Sequence, residues 1–184
     1  MSRTGRMTLL TAANFAMLLV SAVLLAIVVR DQITSFQLKR ARERPVIGHK
    51  VVGMPRSPER YAVVTLVLST QCPYCAEGVP FYQELARAAS VSNGHMAVAA
   101  RFLPNQPGDV FLRQNGLGAV LYLGPVNASL PVTTVPALLV SDKNDKVARI
   151  WFGYLDDAKR HEVYGTVADL CPLCQVKSTA RKTP

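Results

Sequence analysis

The strongest constraint on the fold is an apolar run that leads directly into a pair of cysteines. Residues 61–68 read YAVVTLVL and are β-branched and apolar throughout. A continuous run of this kind fits a central strand that is buried on both faces. The segment CPYC follows at residues 72–75, and an amphipathic helical pattern then extends to about Ser90. We therefore predict that the two cysteines lie between a buried strand and the first turn of a helix.

The predicted position of Cys72 at a helix N-terminus favours redox chemistry. Unpaired backbone N–H groups and the helix dipole stabilise a thiolate there, and the thiolate is the nucleophile of thiol–disulfide exchange. Cys72 is predicted to attack a substrate disulfide, and Cys75 to release the reduced product; in reverse, the pair would oxidise a dithiol. The alternatives are a static disulfide or half of a zinc site. Zinc sites built from two such pairs usually have about 15–20 residues between them, whereas the next pair here begins at Cys171.

The rest of the chain alternates strand and helix patterns. Further strands are predicted over residues 95–103, 119–123, 135–140 and 147–152, with helices over residues 109–115 and from Asp156 or Asp157 to about Leu170. The order βαβα followed by ββα indicates an α/β fold with a mixed sheet that is covered on both faces.

The segment CPYCAEGVPFYQELA resembles the active-site helix of the thioredoxin superfamily. It has the Cys-x-x-Cys pair and a proline, Pro80, five residues after the second cysteine. A second mark is Thr134-Val135-Pro136, which precedes an apolar strand. The resemblance implies a thioredoxin-like fold, a mixed central sheet flanked by helices, over residues 61–170. It also implies that Pro136 is cis, packs against the active-site pair and, with Val135, shapes the peptide-binding site.

The sequence departs from the thioredoxin superfamily at two places near the cysteines. Gln71 stands where the superfamily has a tryptophan, and residues 62–68 lack the buried acid that many members carry in this strand. The nearest carboxylate, Glu77, could assist proton transfer at Cys75. A glutamate in a first helical turn more often complements the helix dipole.

Residues 7–29 contain no charge and are long enough to span a bilayer. They lack a small-x-small cleavage site before Arg30, so we predict an uncleaved signal anchor rather than a cleaved signal peptide. The basic residues that follow the span favour a cytoplasmic domain, whereas disulfide chemistry favours an exocytoplasmic one.

The predicted organisation is an anchor (1–30), a juxtamembrane linker (31–60), a thioredoxin-like domain (61–170) and a C-terminal Cys-x-x-Cys with a basic tail (171–184).

The second cysteine pair, Cys171 and Cys174, permits three interpretations. The pair could be a structural disulfide, an accessory redox pair that relays electrons to the first pair, or buried or metal-bound thiols. The three histidines show no ligand spacing, so no metal site is predicted. The net charge of +9 comes without a nucleic-acid-binding motif and is attributed to a solvated basic surface.

Together these features predict a membrane-tethered thiol–disulfide oxidoreductase with its domain in the periplasm or another exocytoplasmic space. Its partners would be protein thiols or disulfides and a membrane electron donor, with no organic cofactor or metal. The resemblance to tethered bacterial redoxins favours a reductase, while the Pro-Tyr dipeptide leaves oxidation or isomerisation open. The alternative is a thioredoxin-fold scaffold with structural cysteines. A peroxidase would need its own cysteine motif, which the sequence does not show.

Overall fold

The structure is a computed structural model that describes residues 17, 20–30, 46–54, 59–126, 130 and 132–174. The chain divides into two compact units, residues 1–42 and 43–184. In the first unit, residues 20–30 are helical and belong to helix α1, whose large apolar side chains are exposed. Within the described ranges, no helix is long and apolar enough to cross a membrane. Residues 7–16, 18 and 19 of the predicted span lie outside the described residues.

The second unit contains a five-stranded mixed sheet, which confirms the predicted α/β class. The strands are β1 (Ala62–Leu68), β2 (Met96–Phe102), β3 (Leu121–Pro125), β4 (Ala137–Ser141) and β5 (Val147–Phe152), and the helices are α2 (Pro73–Glu77), α3 (Val79–Ser90), α4 (Gly108–Gln114) and α5 (Asp157–Leu170). The strand order is β3-β2-β1-β4-β5. The β1–β2 and β2–β3 pairs are parallel, and the β1–β4 and β4–β5 pairs are antiparallel.

Strand β1 is central, and all seven of its residues are buried. Its alternate side chains enter two separate hydrophobic clusters because successive residues point to opposite faces of a sheet. Leu66 and Leu68 pack on the face that carries α3 and α5. Val63 and Val67 pack on the opposite face, where the described cover comes from segment 46–54 and residues 130 and 132. The unbroken apolar run therefore reflects burial on both faces.

The predicted helix after the cysteines is divided into α2 and α3 at Gly78. Gly78 keeps helical dihedral angles, φ −75° and ψ −12°. Pro80 lies two residues further on and has no N–H to donate to the carbonyl of Ala76, so the hydrogen-bond ladder is interrupted there. Helix α5 starts as predicted, with the Asp156 carboxylate accepting a hydrogen bond from the Lys159 N–H at 2.9 Å.

Candidate active site

Cys72 lies at the start of α2, just beyond the carboxyl end of β1. It is the N-cap of the helix, with an extended backbone, and Pro73 occupies the first turn. The Cys72 carbonyl accepts hydrogen bonds from the N–H groups of Cys75 at 3.0 Å and Ala76 at 3.3 Å. Cys72 is half-buried and Cys75 is buried, and both are free thiols. The structure therefore holds a dithiol in which the first sulfur is the more accessible one.

Cys75 is held in its protonated form by its surroundings. Burial and, to a smaller extent, a hydrogen bond with the Cys72 side chain raise the pKa of the Cys75 thiol from 9.0 to about 12. A hydrogen bond with the backbone of Ser69 acts in the opposite direction but is outweighed. In this arrangement the Cys75 thiol donates a hydrogen bond to the Cys72 sulfur and keeps its own proton.

A glutamine side chain fixes the loop that precedes Cys72. Gln106 accepts a hydrogen bond from the Thr70 N–H at 2.9 Å and donates one to the Ser69 hydroxyl at 3.0 Å. The Ser69 hydroxyl also accepts from the Gln71 N–H at 3.2 Å. The Ser69 carbonyl accepts from the Cys72 N–H at 3.3 Å. Sequence analysis missed Gln106. The sequence does contain a signal for it. Gln106 follows β2, and because parallel neighbours end on the same side of a sheet, a residue just after β2 is expected near the residues just after β1.

The residues of the predicted peptide-binding site lie at the same end of the sheet. The peptide bond between Val135 and Pro136 is cis. Strand β4 begins at Ala137, later than predicted, and pairs there with the end of β1. The Pro136 carbonyl accepts a hydrogen bond from the Gly153 N–H at 2.8 Å. Val135 and Cys72 both pack against the hydrophobic cluster that contains Cys75.

Two exposed tyrosines flank this region; sequence analysis considered Tyr74 only as part of the Pro-Tyr dipeptide and did not single out Tyr154. Tyr74, inside the cysteine segment, is 56% exposed, and Tyr154, just after β5, is 43% exposed. Their ring centroids lie 6.4 Å apart. The pair forms a small aromatic surface beside Cys72, of the type that polypeptide partners contact. Only the fold brings Tyr154 to this position, because it lies 80 positions after Tyr74 in the sequence.

Strand β1 gives Cys75 an apolar environment. Strand β1 contributes Leu66 and Leu68 to the cluster around Cys75, and Glu77 is exposed. In the part of the chain that the structure describes, no group of three or more His, Cys, Asp or Glu side chains could hold a metal ion.

The second cysteine pair forms a disulfide at the other end of the sheet. Cys171 and Cys174 are bonded, and they are 0% and 5% exposed. The Cys171 sulfur lies 3.9 Å from the carbonyl oxygen of His95, which immediately precedes β2. Because Cys72 follows the opposite end of this sheet, and a seven-residue strand is about 20 Å long, the two pairs are too far apart for direct exchange. This geometry does not fit a relay between the pairs within one molecule.

No family model and no curated protein sequence matches the chain. Solved structures do match. A candidate thiol:disulfide interchange protein, DsbE, from Chlorobium tepidum has a TM-score of 0.54 at 17% identity, covering 68% of this chain and 97% of that one. A thiol-disulfide isomerase from Corynebacterium glutamicum has a TM-score of 0.50 at 19% identity, covering 68% and 92%. At such identities the likeness concerns the fold. The resemblance inferred from the cysteine segment is confirmed at that level, and the second unit of the chain has the thioredoxin fold.

Proposed function

We propose that this protein is a thiol–disulfide oxidoreductase that reduces protein disulfides through Cys72 and Cys75. The observation that carries the proposal is the unequal dithiol at the start of α2. Cys72 is half-buried at the helix N-terminus, whereas Cys75 is buried, stays protonated and donates a hydrogen bond to the Cys72 sulfur. Such a pair supplies an accessible nucleophile and a protected second thiol, which are the two groups that disulfide reduction requires.

The proposed reaction has two exchange steps. The Cys72 thiolate attacks one sulfur of a substrate disulfide, forms a mixed disulfide, and displaces the other sulfur as a thiolate that takes a proton from water. Cys75 loses its proton and attacks the Cys72 sulfur, which releases the second substrate thiolate and leaves a Cys72–Cys75 disulfide. Two electrons have then passed from the dithiol to the substrate. A dithiol donor, which we propose to be a membrane protein, reduces the pair again.

Substrate binding is proposed at the surface formed by the cis-proline turn and the two exposed tyrosines. Val135 would present its backbone groups to an extended peptide beside Cys72, and the buried Pro136 would hold the turn in place. Tyr74 and Tyr154, whose rings contact each other beside the cysteine segment, would contact its apolar side chains. The exposed rings give binding area at a low cost in conformational entropy, which suits a protein that acts on varied polypeptides.

A redox titration of the full chain tests both the activity and its direction. The protein is equilibrated with dithiol–disulfide buffers, the free thiols are alkylated, and the peptides that carry Cys72 and Cys171 are quantified separately by mass spectrometry. A potential of the first pair of about −270 mV supports a reductase, while one of about −120 mV would replace that direction with oxidation. If the first pair never exchanges, the oxidoreductase proposal fails and the scaffold alternative takes its place.

We propose that the domain is tethered to a membrane and faces an exocytoplasmic space. The uncharged run over residues 7–29 supports the tether, as do the exposed apolar side chains of residues 20–30. The Cys171–Cys174 disulfide supports an oxidising compartment. In cells that express the full chain, the protein should resist alkaline extraction from membranes, and protease added outside the inner membrane should digest the domain. A domain that is digested only after the inner membrane is lysed would be cytoplasmic.

A further inference from the structure

A side chain from a separate loop holds the turn that carries Cys72. Inside this turn, the Cys72 N–H donates to the Ser69 carbonyl at 3.3 Å and the Gln71 N–H donates to the Ser69 hydroxyl at 3.2 Å. The Thr70 N–H donates to the side-chain oxygen of Gln106 at 2.9 Å, and the nitrogen of the same amide donates to the Ser69 hydroxyl at 3.0 Å. One glutamine therefore fixes the turn at two points, and every N–H group that follows Ser69 in it has a partner.

Ser69 connects this turn to the second cysteine. It is 5% exposed and directly follows β1, and its backbone forms a hydrogen bond with the Cys75 side chain. This bond acts to lower the pKa of Cys75. A hydrogen bond that favours a thiolate must be donated to it, so the backbone group is the Ser69 N–H. The thiol of Cys75 donates to the Cys72 sulfur, but a thiolate has no proton to donate. Of the hydrogen bonds that described residues form with Cys75, the one from Ser69 then remains.

The other groups around Cys75 oppose its ionisation or leave it unchanged. Burial has the largest effect, and the charge of Cys72 acts in the same direction. From α3, the phenol of Tyr82 interacts with the charge of Cys75, which helps to raise the pKa of Tyr82 and keeps the phenol neutral. From α5, the charge of Arg160 acts on Tyr82. Strand β1 presents apolar side chains to the same cluster. The Ser69 N–H is therefore the interaction that favours a thiolate at Cys75.

We propose that Gln106 is a positioning residue for the resolving step, because its amide holds the turn in which the Ser69 N–H donates to the Cys75 thiolate. The proposal rests on the proposed function and adds a residue that acts through Ser69 rather than on the reacting atoms. In this step Cys75 gives its proton to water, and its thiolate forms a bond to the Cys72 sulfur. The bond from Cys72 to the substrate sulfur breaks, and the substrate thiolate leaves with the electron pair.

The test separates the two exchange steps with dithiobis(nitrobenzoate) as the disulfide and the reduced full chain as the dithiol. Attack by Cys72 releases one equivalent of coloured thiolate, and resolution by Cys75 releases a second. Gln106→Met keeps the length of the side chain and loses both hydrogen bonds, so the first phase should keep its rate within about threefold.

The second phase of Gln106→Met should slow by about five- to twentyfold. Losing a hydrogen bond to a charged group lowers the thiolate fraction by about ten- to a hundredfold, and the less acidic thiolate compensates in part by attacking faster. The rise of the second-phase rate with pH should also move to higher pH, because a thiolate without its donor forms less readily. Ser69→Ala keeps the N–H but loses the hydroxyl that Gln106 holds, and should show the same pattern with a smaller factor.

Gln83→Met is the matched control. Gln83 is half-buried like Gln106, and its side chain donates to the Asn115 carbonyl at 2.8 Å, away from the cysteines. This variant should lose stability without a change in either phase or in the pH profile. A second phase as fast as in the wild type in Gln106→Met or Ser69→Ala, equal slowing of both phases, or slowing without a shifted pH profile would overturn the role of Gln106. A wild-type protein that releases no coloured thiolate would instead refute the proposed function.

Discussion

The chain contains two Cys-Pro-x-Cys segments with the same spacing and opposite surroundings. The first, at residues 72–75, lies at the amino end of a helix and holds two free thiols, the first of them half-buried. The second, at residues 171–174, follows the carboxyl end of α5 and is a buried disulfide. The amino end of a helix stabilises a thiolate and the carboxyl end destabilises one. Placement on the helix therefore distinguishes the two segments, and the cysteine spacing does not.

Accessibility sharpens this difference. Both sulfurs of the second segment are almost completely shielded from solvent, with Cys171 0% and Cys174 5% exposed. Thiol–disulfide exchange needs an attacking thiolate in line with an accessible sulfur. We therefore expect the second disulfide to remain oxidised under conditions in which the first pair exchanges. It should also hold residues 171–174 against the start of β2.

The largest expected effect follows from removing the nucleophile of the first segment. Cys72→Ser should lower the rate of disulfide reduction by on the order of a thousandfold or more, because a hydroxyl at this position is not ionised and does not attack disulfides. The rate is measured with an excess of dithiol donor and a protein disulfide substrate. The matched variant Cys171→Ala/Cys174→Ala should keep the rate within about twofold. Equal losses in both variants would contradict the division of roles between the segments.

A second prediction separates the two cysteines of the first segment. Cys75→Ser should trap the mixed disulfide between Cys72 and the substrate, visible as a covalent adduct that a reductant dissolves. Multiple-turnover reduction should fall by on the order of a hundredfold, because an external thiol must replace one that is held one turn away. If no adduct forms while turnover continues, resolution does not depend on Cys75.

Much of this arrangement was predictable from the sequence because it depends on local patterns. The apolar run of β1, the cysteine segment and the Asp156 cap each act within a few residues, and the structure places β1, α2 and α5 accordingly. The division of the helix at Gly78 depends on Pro80 and is also local. The boundaries of β3 and β4 were less accurate, since β4 starts only after the cis-proline turn.

The parts that sequence reasoning missed depend on contacts between distant segments. Gln106 reaches the loop before Cys72 because β1 and β2 are parallel neighbours. Tyr154 reaches Tyr74 only because β5 ends at the same edge of the sheet as β1. The state of Cys171 and Cys174 remained open because the spacing of the two cysteines fits buried thiols, metal-bound thiols and a disulfide equally well.

The third prediction concerns pH and the redox state of the first segment. The pKa of Cys75 is raised from 9.0 to about 12 in the folded state, so the folded protein binds this proton more tightly than the unfolded chain. The resulting contribution to the free energy of unfolding is fully present below pH 9. As the pH rises from 9 towards 12, unfolded chains lose this proton first, and the free energy of unfolding of the reduced protein should fall. The form with a Cys72–Cys75 disulfide has no such thiol.

The measurement compares urea unfolding of the reduced and oxidised first pair in the Cys171→Ala/Cys174→Ala background, where only one pair changes state. Burial also raises the pKa of Tyr82 and Tyr164, so both forms lose some stability at high pH. The predicted signal is the steeper fall of the reduced form. Parallel pH dependences would show that Cys75 is not protected from ionisation in the folded protein.

The smallest effect is expected from opening the second segment. In Cys171→Ala/Cys174→Ala the free energy of unfolding should fall by about 2 kcal/mol, the loop-closure value for a four-residue loop. Urea unfolding of the oxidised variant and wild type measures this difference. The reaction should be unaffected, because about 20 Å of sheet separates the two segments. Lost stability with retained activity is the result expected if the disulfide only stabilises the fold at residues 171–174. The reverse result, retained stability with lost turnover by a physiological donor, would mean that the donor reaches the first pair through the second, by a movement of α5 that brings the segments together.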